Sequence, residues 1–452
     1  MVMLDQTVVA IALAPLARSL GFTTFVMHAI VLVYSLALAA FTPVGAMVSR
    51  RFGLPATFRC GTVVFVVASV LCGLTPTGEA AEPYLLAARA VQGTGAALML
   101  PVATTLIANV YGARERGRAL AVYAGLAQLF FVAGPVLGAF LVQSLGWRSV
   151  FLANVPVGVV TLWAIGRARV TGDAGGGRLS AGRPVAVVLP LAVFVSGLYL
   201  SGVWGLADPR TLAALVGGGV ALALAVRLLL RSPRPLVDLR LLRIRRYAVP
   251  VALTFLVHAA QLVLLVHGTL FLRQVLHLSL PATGVRLLPL VTGLAVGTFL
   301  SGFLLDRSRS VRVPAVGGLA AATLGAAAWT VALPAPDHPC LVPGMLLAGL
   351  GMGLPVPALS AEMMGAVPAA SRTDASVLRQ TFGQLGGAIG LASAGAVVLG
   401  VNDDAADLAG TVTAPAATAA FVIATCVLAA ALLLAAALLP RRSPAQAPAG
   451  PA

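Results

Sequence analysis

The sequence predicts an all-α polytopic membrane protein that crosses the bilayer about fourteen times, and three observations lead there. Apolar runs of about 20 residues recur along the whole chain, the length a helix needs to span about 30 Å of hydrocarbon. The composition is 59% hydrophobic and 10% charged, against about 25% charged in soluble domains. The charge is also placed: the net value is +16, every basic residue is an arginine, and the arginines gather in alternate gaps between the runs. Runs of this length exclude an outer-membrane barrel, whose strands need only about 10 alternating residues. Topology accounts for the basic excess, so no nucleic-acid partner is expected.

The runs can be taken in order. The first covers about 1–19, with Asp5 close to its start. A carboxylate normally needs a turn or two of helix ahead of it to reach membrane depth, so this helix reads as short or truncated. The second, about 26–48, ends at Arg50 and Arg51, and the third, about 58–75, faces a loop with Glu79 and Glu82. The fourth, about 83–110, stops at the charged turn from Arg114 to Arg118. The fifth and sixth, about 119–143 and 149–166, complete a first six-helix unit over 1–166.

The next stretch, 167–246, begins with RARVTGDAGGGRLSAGRP, which has too little apolar content to pack a core. It then holds a separate hairpin of two extra helices, about 185–205 and 211–230. It closes on RSPRPLVDLRLLRIRRY, whose interleaved leucines and arginines suit a short amphipathic helix on an anionic leaflet. Helices nine to fourteen, about 247–271, 283–305, 314–333, 341–366, 375–400 and 416–439, form a second six-helix unit over 247–440. The tail, 441–452, is expected to be disordered.

Gaps after even-numbered helices hold about 24 arginines and those after odd-numbered ones about five. This places both termini in the cytoplasm and the protein in the cell inner (plasma) membrane. The four cysteines show neither CxxC nor metal-ligand spacing, so no metal is expected.

One helix stands out. The run from Leu86 to Thr105, LAARAVQGTGAALMLPVATT, carries Arg89 inside it. An arginine at membrane depth is costly and marks a pathway or an ionic partner. Gln92 shares its face, and Gly93, Gly95, Ala96 and Ala97 permit close helix contact.

LDQTVVAIALAPLA near the start, RAVQGTGAA from Arg89 to Ala97, GPVLG from Gly134 to Gly138 and GWRSVFLANVPVG from Gly146 to Gly158 resemble, in order, motifs of the major facilitator superfamily. Within it they resemble the fourteen-helix drug:proton antiporter family, and PLVDLRLLR and LRQTFGQLGGAIGLA look like family segments of the second half. The loop from Gly45 through Arg50 to Gly53 departs from the pattern, with Ser49 where an aspartate is expected, whereas Asp306 and Arg307 keep the counterpart after helix ten.

The resemblance implies two six-helix bundles plus two helices and a proton-coupled exporter of lipophilic small molecules, cations among them, as in multidrug or antibiotic efflux by alternating access. Its partners would be a small-molecule substrate, protons and the bilayer. It would act as a monomer, with no cofactor beyond the proton gradient and no catalytic residue. Export of a specific endogenous metabolite or natural product on the same fold, and a non-transporting sensor or scaffold on a decayed transporter fold, are the alternatives.

With no lysine available, a proton carrier must be acidic or a histidine. Asp5 paired with Arg89 is the coupling candidate. Gln92, Tyr34, Tyr123, His258, Gln261 and Glu362 are candidates for the substrate cavity. His258 reads more readily as a hydrogen-bonded packing histidine, and Glu362 equally as a snorkelling interface residue. Gly134, Pro135 and Gly138 would serve as a hinge or proton seal, or as a packing kink.

Overall fold

The computed structural model describes residues 1–110, 116–167, 182–205, 207–231, 238–308, 310–333, 341–368, 371–401 and 413–440. Residues 168–181 of the expected linker, the acidic positions Asp337, Asp403, Asp404 and Asp407, and the tail from 441 lie outside them. So does Cys340; Cys60, Cys72 and Cys426 are free thiols.

Sixteen α-helices build fourteen passes: α1 (Val2–Leu20), α2 (Thr24–Phe52), α3 (Leu54–Gly73), α4 (Ala81–Val110), α5 (Arg116–Leu145), α6 (Arg148–Leu152) with α7 (Asn154–Arg167), α8 (Gly182–Trp204), α9 (Pro209–Arg231), α10 (Arg245–Leu270), α11 (Leu280–Ser308), α12 (Arg312–Ala332), α13 (Leu341–Gly353) with α14 (Pro355–Gly365), α15 (Arg372–Val401) and α16 (Ala414–Leu438). Among the described residues twelve passes are apolar over the full width of a bilayer, and α5 and α8 contribute the shorter apolar stretches Leu129–Leu145 and Leu189–Ser201. The protein is thus an all-α, multi-pass membrane protein. The amphipathic stretch before α10 forms a short 3-10 turn, Leu239–Arg243.

Two passes are broken. Ala153 separates α6 from α7, and Leu354 separates α13 from α14, where Pro355 begins the new segment. Proline at a first helical turn costs no hydrogen bond but cannot continue the preceding ladder.

Helices α1 to α7 pack on one another, with α2 and α3 flanking α4 and α1 against α5. A second set gathers around α10 and α13: α10 meets α15 and α16, and α13 lies between α11 and α12. The sets meet along α2–α15 and α5–α11, and the α8–α9 hairpin leans on α15 and α2 at that seam. Tyr199 of α8 fastens it, donating to the Phe25 carbonyl at 2.7 Å and stacking on the Phe25 ring at 4.8 Å.

Small residues set the closest approaches, as expected where lipid gives no hydrophobic push between helices. A Cβ on Gly93 would lie 2.5 Å from the Tyr34 carbonyl oxygen of α2, and one on Gly95 would lie 2.6 Å from the Phe65 nitrogen of α3. The same face of α4 that carries Arg89 is therefore drawn in against two neighbours.

Candidate functional site

Asp5 is enclosed. Its Oδ2 accepts from Arg89 Nη1 at 2.8 Å, and its Oδ1 accepts from Gln92 Nε2 at 3.0 Å and Asn154 Nδ2 at 3.1 Å. Arg89 also donates from Nη1 to Gln92 Oε1 at 2.5 Å and from Nε to the Ile30 carbonyl at 3.3 Å. Its guanidinium carbon sits 4.2 Å above the Tyr34 ring. Gln92 donates further to Ser69 Oγ at 2.8 Å. Asp5 and Arg89 are each 1% exposed. Five passes converge here: α1 brings the acid, α4 the base, α2 the ring and carbonyl, α3 the serine and α7 the asparagine.

Asn154 owes its position to the break at Ala153. It opens α7 and aims its amide into the bundle, where it is 2% exposed. Sequence reasoning quoted its neighbourhood only as part of a family-like stretch and gave it no role. Ser69 and Ile30 carried no signal that singles them out.

A separate cavity of about 280 Å³ lies between the two helix sets. Tyr123, His258 and Gln261 line it, as do Gln6, Arg379, Gln380 and Gln384, with Phe131, Leu262, Leu265 and Leu294 as apolar wall. Its position along the helices is set by Tyr123, Thr298, Val356 and Arg379, all toward the arginine-rich ends of their passes. His258 Nδ1 donates to the Thr254 carbonyl at 2.9 Å, so the neutral ring presents Nε2 as an acceptor.

Three expected cavity residues lie elsewhere. Gln92 and Tyr34 face the interior of the first bundle, at 0% and 1% exposed, because the Asp5–Arg89 pair holds them there. Glu362 accepts from Arg246 Nε at 2.9 Å and Nη2 at 2.7 Å near the arginine-rich end of α10. Arg89 itself does not line the cavity either. The link between pair and cavity is α1, whose Met3 and Gln6 line the cavity on either side of Asp5 in sequence.

On α5, Gly134 and Gly138 face α1: a Cβ on Gly134 would lie 2.7 Å from the Thr7 Cβ, and one on Gly138 3.0 Å from Val8 Cγ1. The Pro135 carbonyl faces the other way, 2.6 Å from where a Cβ on Gly284 of α11 would stand. This motif therefore touches the acid-bearing helix on one side and the second helix set on the other.

At the arginine-rich end, Gly53 takes φ 84° in the tight turn from α2 to α3. Gly45 meets the Ala97 carbonyl, 2.5 Å from where its Cβ would be. Ser49 turns its hydroxyl onto the Ala46 carbonyl at 2.9 Å, while Arg50 reaches Asp374 of α15 at 3.3 Å. Asp306 and Arg307 lie in the last turn of α11. At the opposite end, His28 of α2 and His267 of α10 bring their Nε2 atoms to 3.2 Å, both fully buried. Neither histidine is singled out by the sequence pattern.

Among the described residues no three His, Cys, Asp or Glu side chains converge as a metal site. Comparison with known proteins decides the family: the major facilitator superfamily model matches residues 1–391. The chain belongs to the major facilitator superfamily. It is a secondary transporter that moves small molecules by alternating access, and its family is not one of enzymes.

The puromycin resistance protein pur8 of Streptomyces alboniger is 33% identical over 435 residues, covering 92% of this chain and 83% of that protein. A multidrug resistance protein B homolog of Mycobacterium tuberculosis is 32% identical over 397 residues, 86% of this chain and 72% of the relative. Among solved structures, a POT family transporter in complex with 5-aminolevulinic acid superposes with a TM-score of 0.70 at 13% identity, covering 97% and 93% of the two chains. At that identity the likeness concerns the fold alone.

Proposed function

We propose that the protein is a proton-coupled exporter of lipophilic small molecules in the cell membrane, from the fourteen-helix drug:proton antiporter branch, with both termini cytoplasmic. One observation carries this reading. The buried Asp5–Arg89 pair is built on α1, and that helix also forms part of the cavity wall.

A proton on Asp5 Oδ2 takes the place of the Arg89 hydrogen bond. The carboxyl loses its charge, and α1 is no longer held to α4 by an ion pair. Because α1 also contacts Gly134 and Gly138 of α5, a shift of α1 bears directly on the α5–α11 seam between the bundles. Proton binding and cavity access are thereby coupled through one helix. The cavity candidates in this reading are Tyr123, His258 and Gln261, with Gln92 and Tyr34 acting on the coupling pair and Glu362 at the rim of the second bundle. Gly45, Arg50, Gly53, Asp306 and Arg307 lie toward the arginine-rich ends of α2 and α11, where the helices and the turn at Gly53 would shift between states.

The names of the relatives favour two cargo readings equally in kind: a multidrug resistance protein suggests a broad range, and a puromycin resistance protein suggests one antibiotic. Purified protein in proteoliposomes with an imposed pH gradient tests the coupling. Asp5→Asn is expected to abolish gradient-driven uptake while the protein remains folded and monodisperse. Undiminished gradient-driven flux in that variant removes Asp5 from the mechanism.

A further inference from the structure

We propose that the central cavity is an anion site built on Arg379, so that the transported molecule carries a carboxylate, phenolate or similar anionic oxygen group on an apolar body. The inference deepens the exporter reading above, and rests on it for what happens to the molecule once bound.

Arg379 lies on α15 two turns from its start and lines the cavity. Among the described residues no aspartate or glutamate lines it. The acids that come nearest to the role are committed elsewhere: Asp5 to Arg89, Glu362 to Arg246 and Asp374 to Arg50. Among the described residues none of the ion pairs involves Arg379. Among the described residues that line the cavity, the other polar groups are neutral hydrogen bonders such as Gln380, Gln384 and Gln261.

A guanidinium cannot lose its proton in a protein, and its planar fork matches the two oxygens of a carboxylate. Inside a cavity walled partly by Phe131, Leu265 and Leu294, water screens that charge poorly, and an anionic ligand supplies the missing counter-charge. A lipophilic cation would instead share about 280 Å³ with an unneutralised guanidinium. His258 also lines the cavity with Nδ1 committed to the Thr254 carbonyl, so in its neutral form Nε2 offers an acceptor to a ligand that also carries a hydroxyl or amide N–H.

The test uses three probes on one scaffold: anthracene-2-carboxylate, anthracene-2-carboxamide and anthracene-2-trimethylammonium. Binding to the purified full chain is read by probe fluorescence, and flux by proteoliposome uptake under a pH gradient. The carboxylate is expected to bind about tenfold more tightly than the amide, the difference between a charge-assisted and a neutral hydrogen-bonded contact, with the ammonium weakest. Arg379→Gln should bring carboxylate and amide level, whereas Arg379→Lys, which keeps the charge and controls for folding, should retain part of the preference.

Equal binding of all three probes, preference for the ammonium, or an Arg379→Gln variant with the wild-type order each overturns the anion site. The exporter reading fails separately: an Arg379-dependent carboxylate preference with no gradient-driven flux of any probe leaves the anion site standing and removes proton-coupled export. Gradient-driven flux of the ammonium, unchanged in Arg379→Gln, does the reverse.

Discussion

Replacing Asp5 by asparagine breaks the 2.8 Å ion pair with Arg89 and turns one acceptor of the side chain into a donor. Oδ1 serves Gln92 and Asn154, and Oδ2 serves Arg89. Whichever way the new amide turns, its NH₂ faces an N–H donor. The guanidinium keeps the Gln92 and Ile30 oxygens as neutral acceptors but cannot shed its charge. Removing one partner of a buried pair costs about 3–5 kcal/mol in soluble proteins. Between transmembrane helices a hydrogen bond averages only about 0.6 kcal/mol, because the unfolded chain in the bilayer also finds partners. Asp5→Asn should therefore cost roughly 2–4 kcal/mol, between those limits.

Arg89→Met should cost less, roughly 1–2 kcal/mol, because the stranded carboxyl can take up a proton and stay bonded to Gln92 and Asn154. The double variant buries no charge. Its loss should fall short of the sum of the singles by about 2 kcal/mol. Reversible unfolding of the four purified forms in mixed micelles measures the cycle. Losses that add within about 0.5 kcal/mol would show that the pair is not energetically coupled and would refute the reasoning.

Gly134→Ala puts a methyl 2.7 Å from the Thr7 Cβ and should lower stability by about 1–3 kcal/mol through overpacking. Thr7→Gly in the same chain should recover part of it, less about 1 kcal/mol for a glycine inside a helix, and Gly302→Ala, inside α11 with nothing within 4 Å, should gain up to about 1 kcal/mol by the same propensity; thermal unfolding of the three reads this. The His28–His267 contact joins α2 to α10 at the end away from the cavity, so His267→Phe should speed maleimide labelling of a Leu264→Cys probe in a cysteine-free chain from that side. Unchanged labelling would show that the contact does not close that end.

The passes and the intramembrane pair were legible because each rests on a local signal. An apolar run has a length, and a charge inside it is conspicuous. Contacts between distant segments leave no such mark. Asn154 lies 149 residues from Asp5, and His267 lies 239 from His28; nothing in either stretch tells of its partner. Arg379 carried no mark of its role for another reason. It falls at the edge of the run expected over about 375–400, where hydropathy does not fix the start of the helix, and α15 begins at Arg372, with Asp374 in its first turn. An acid there complements the positive end of the helix, so the helix starts within polar sequence and carries Arg379 up into the cavity wall. For α5 the same holds: it begins at Arg116, ahead of its apolar run. Hydropathy marks what lies in lipid, while helices that line a hydrated space continue beyond it.

A carboxyl in the first bundle and an unneutralised guanidinium in the second have a joint consequence for energetics. When a cation leaves as one proton enters, no net charge moves, and only the pH gradient drives the exchange. When a monoanion leaves as one proton enters, two charge equivalents cross in the same sense. An inside-negative potential then contributes about 4.6 kcal/mol per 100 mV, at about 2.3 kcal/mol for each charge. Arg379 would hold the anion against that field until α15 and α2 part, and Asp5 would release its proton only as Arg89 returns. Export of the carboxylate probe should therefore be driven by a valinomycin-imposed potassium potential at equal pH on both sides, and should lose that response in Arg379→Gln. Flux that follows the pH gradient and ignores the potential would separate Arg379 from the transported charge.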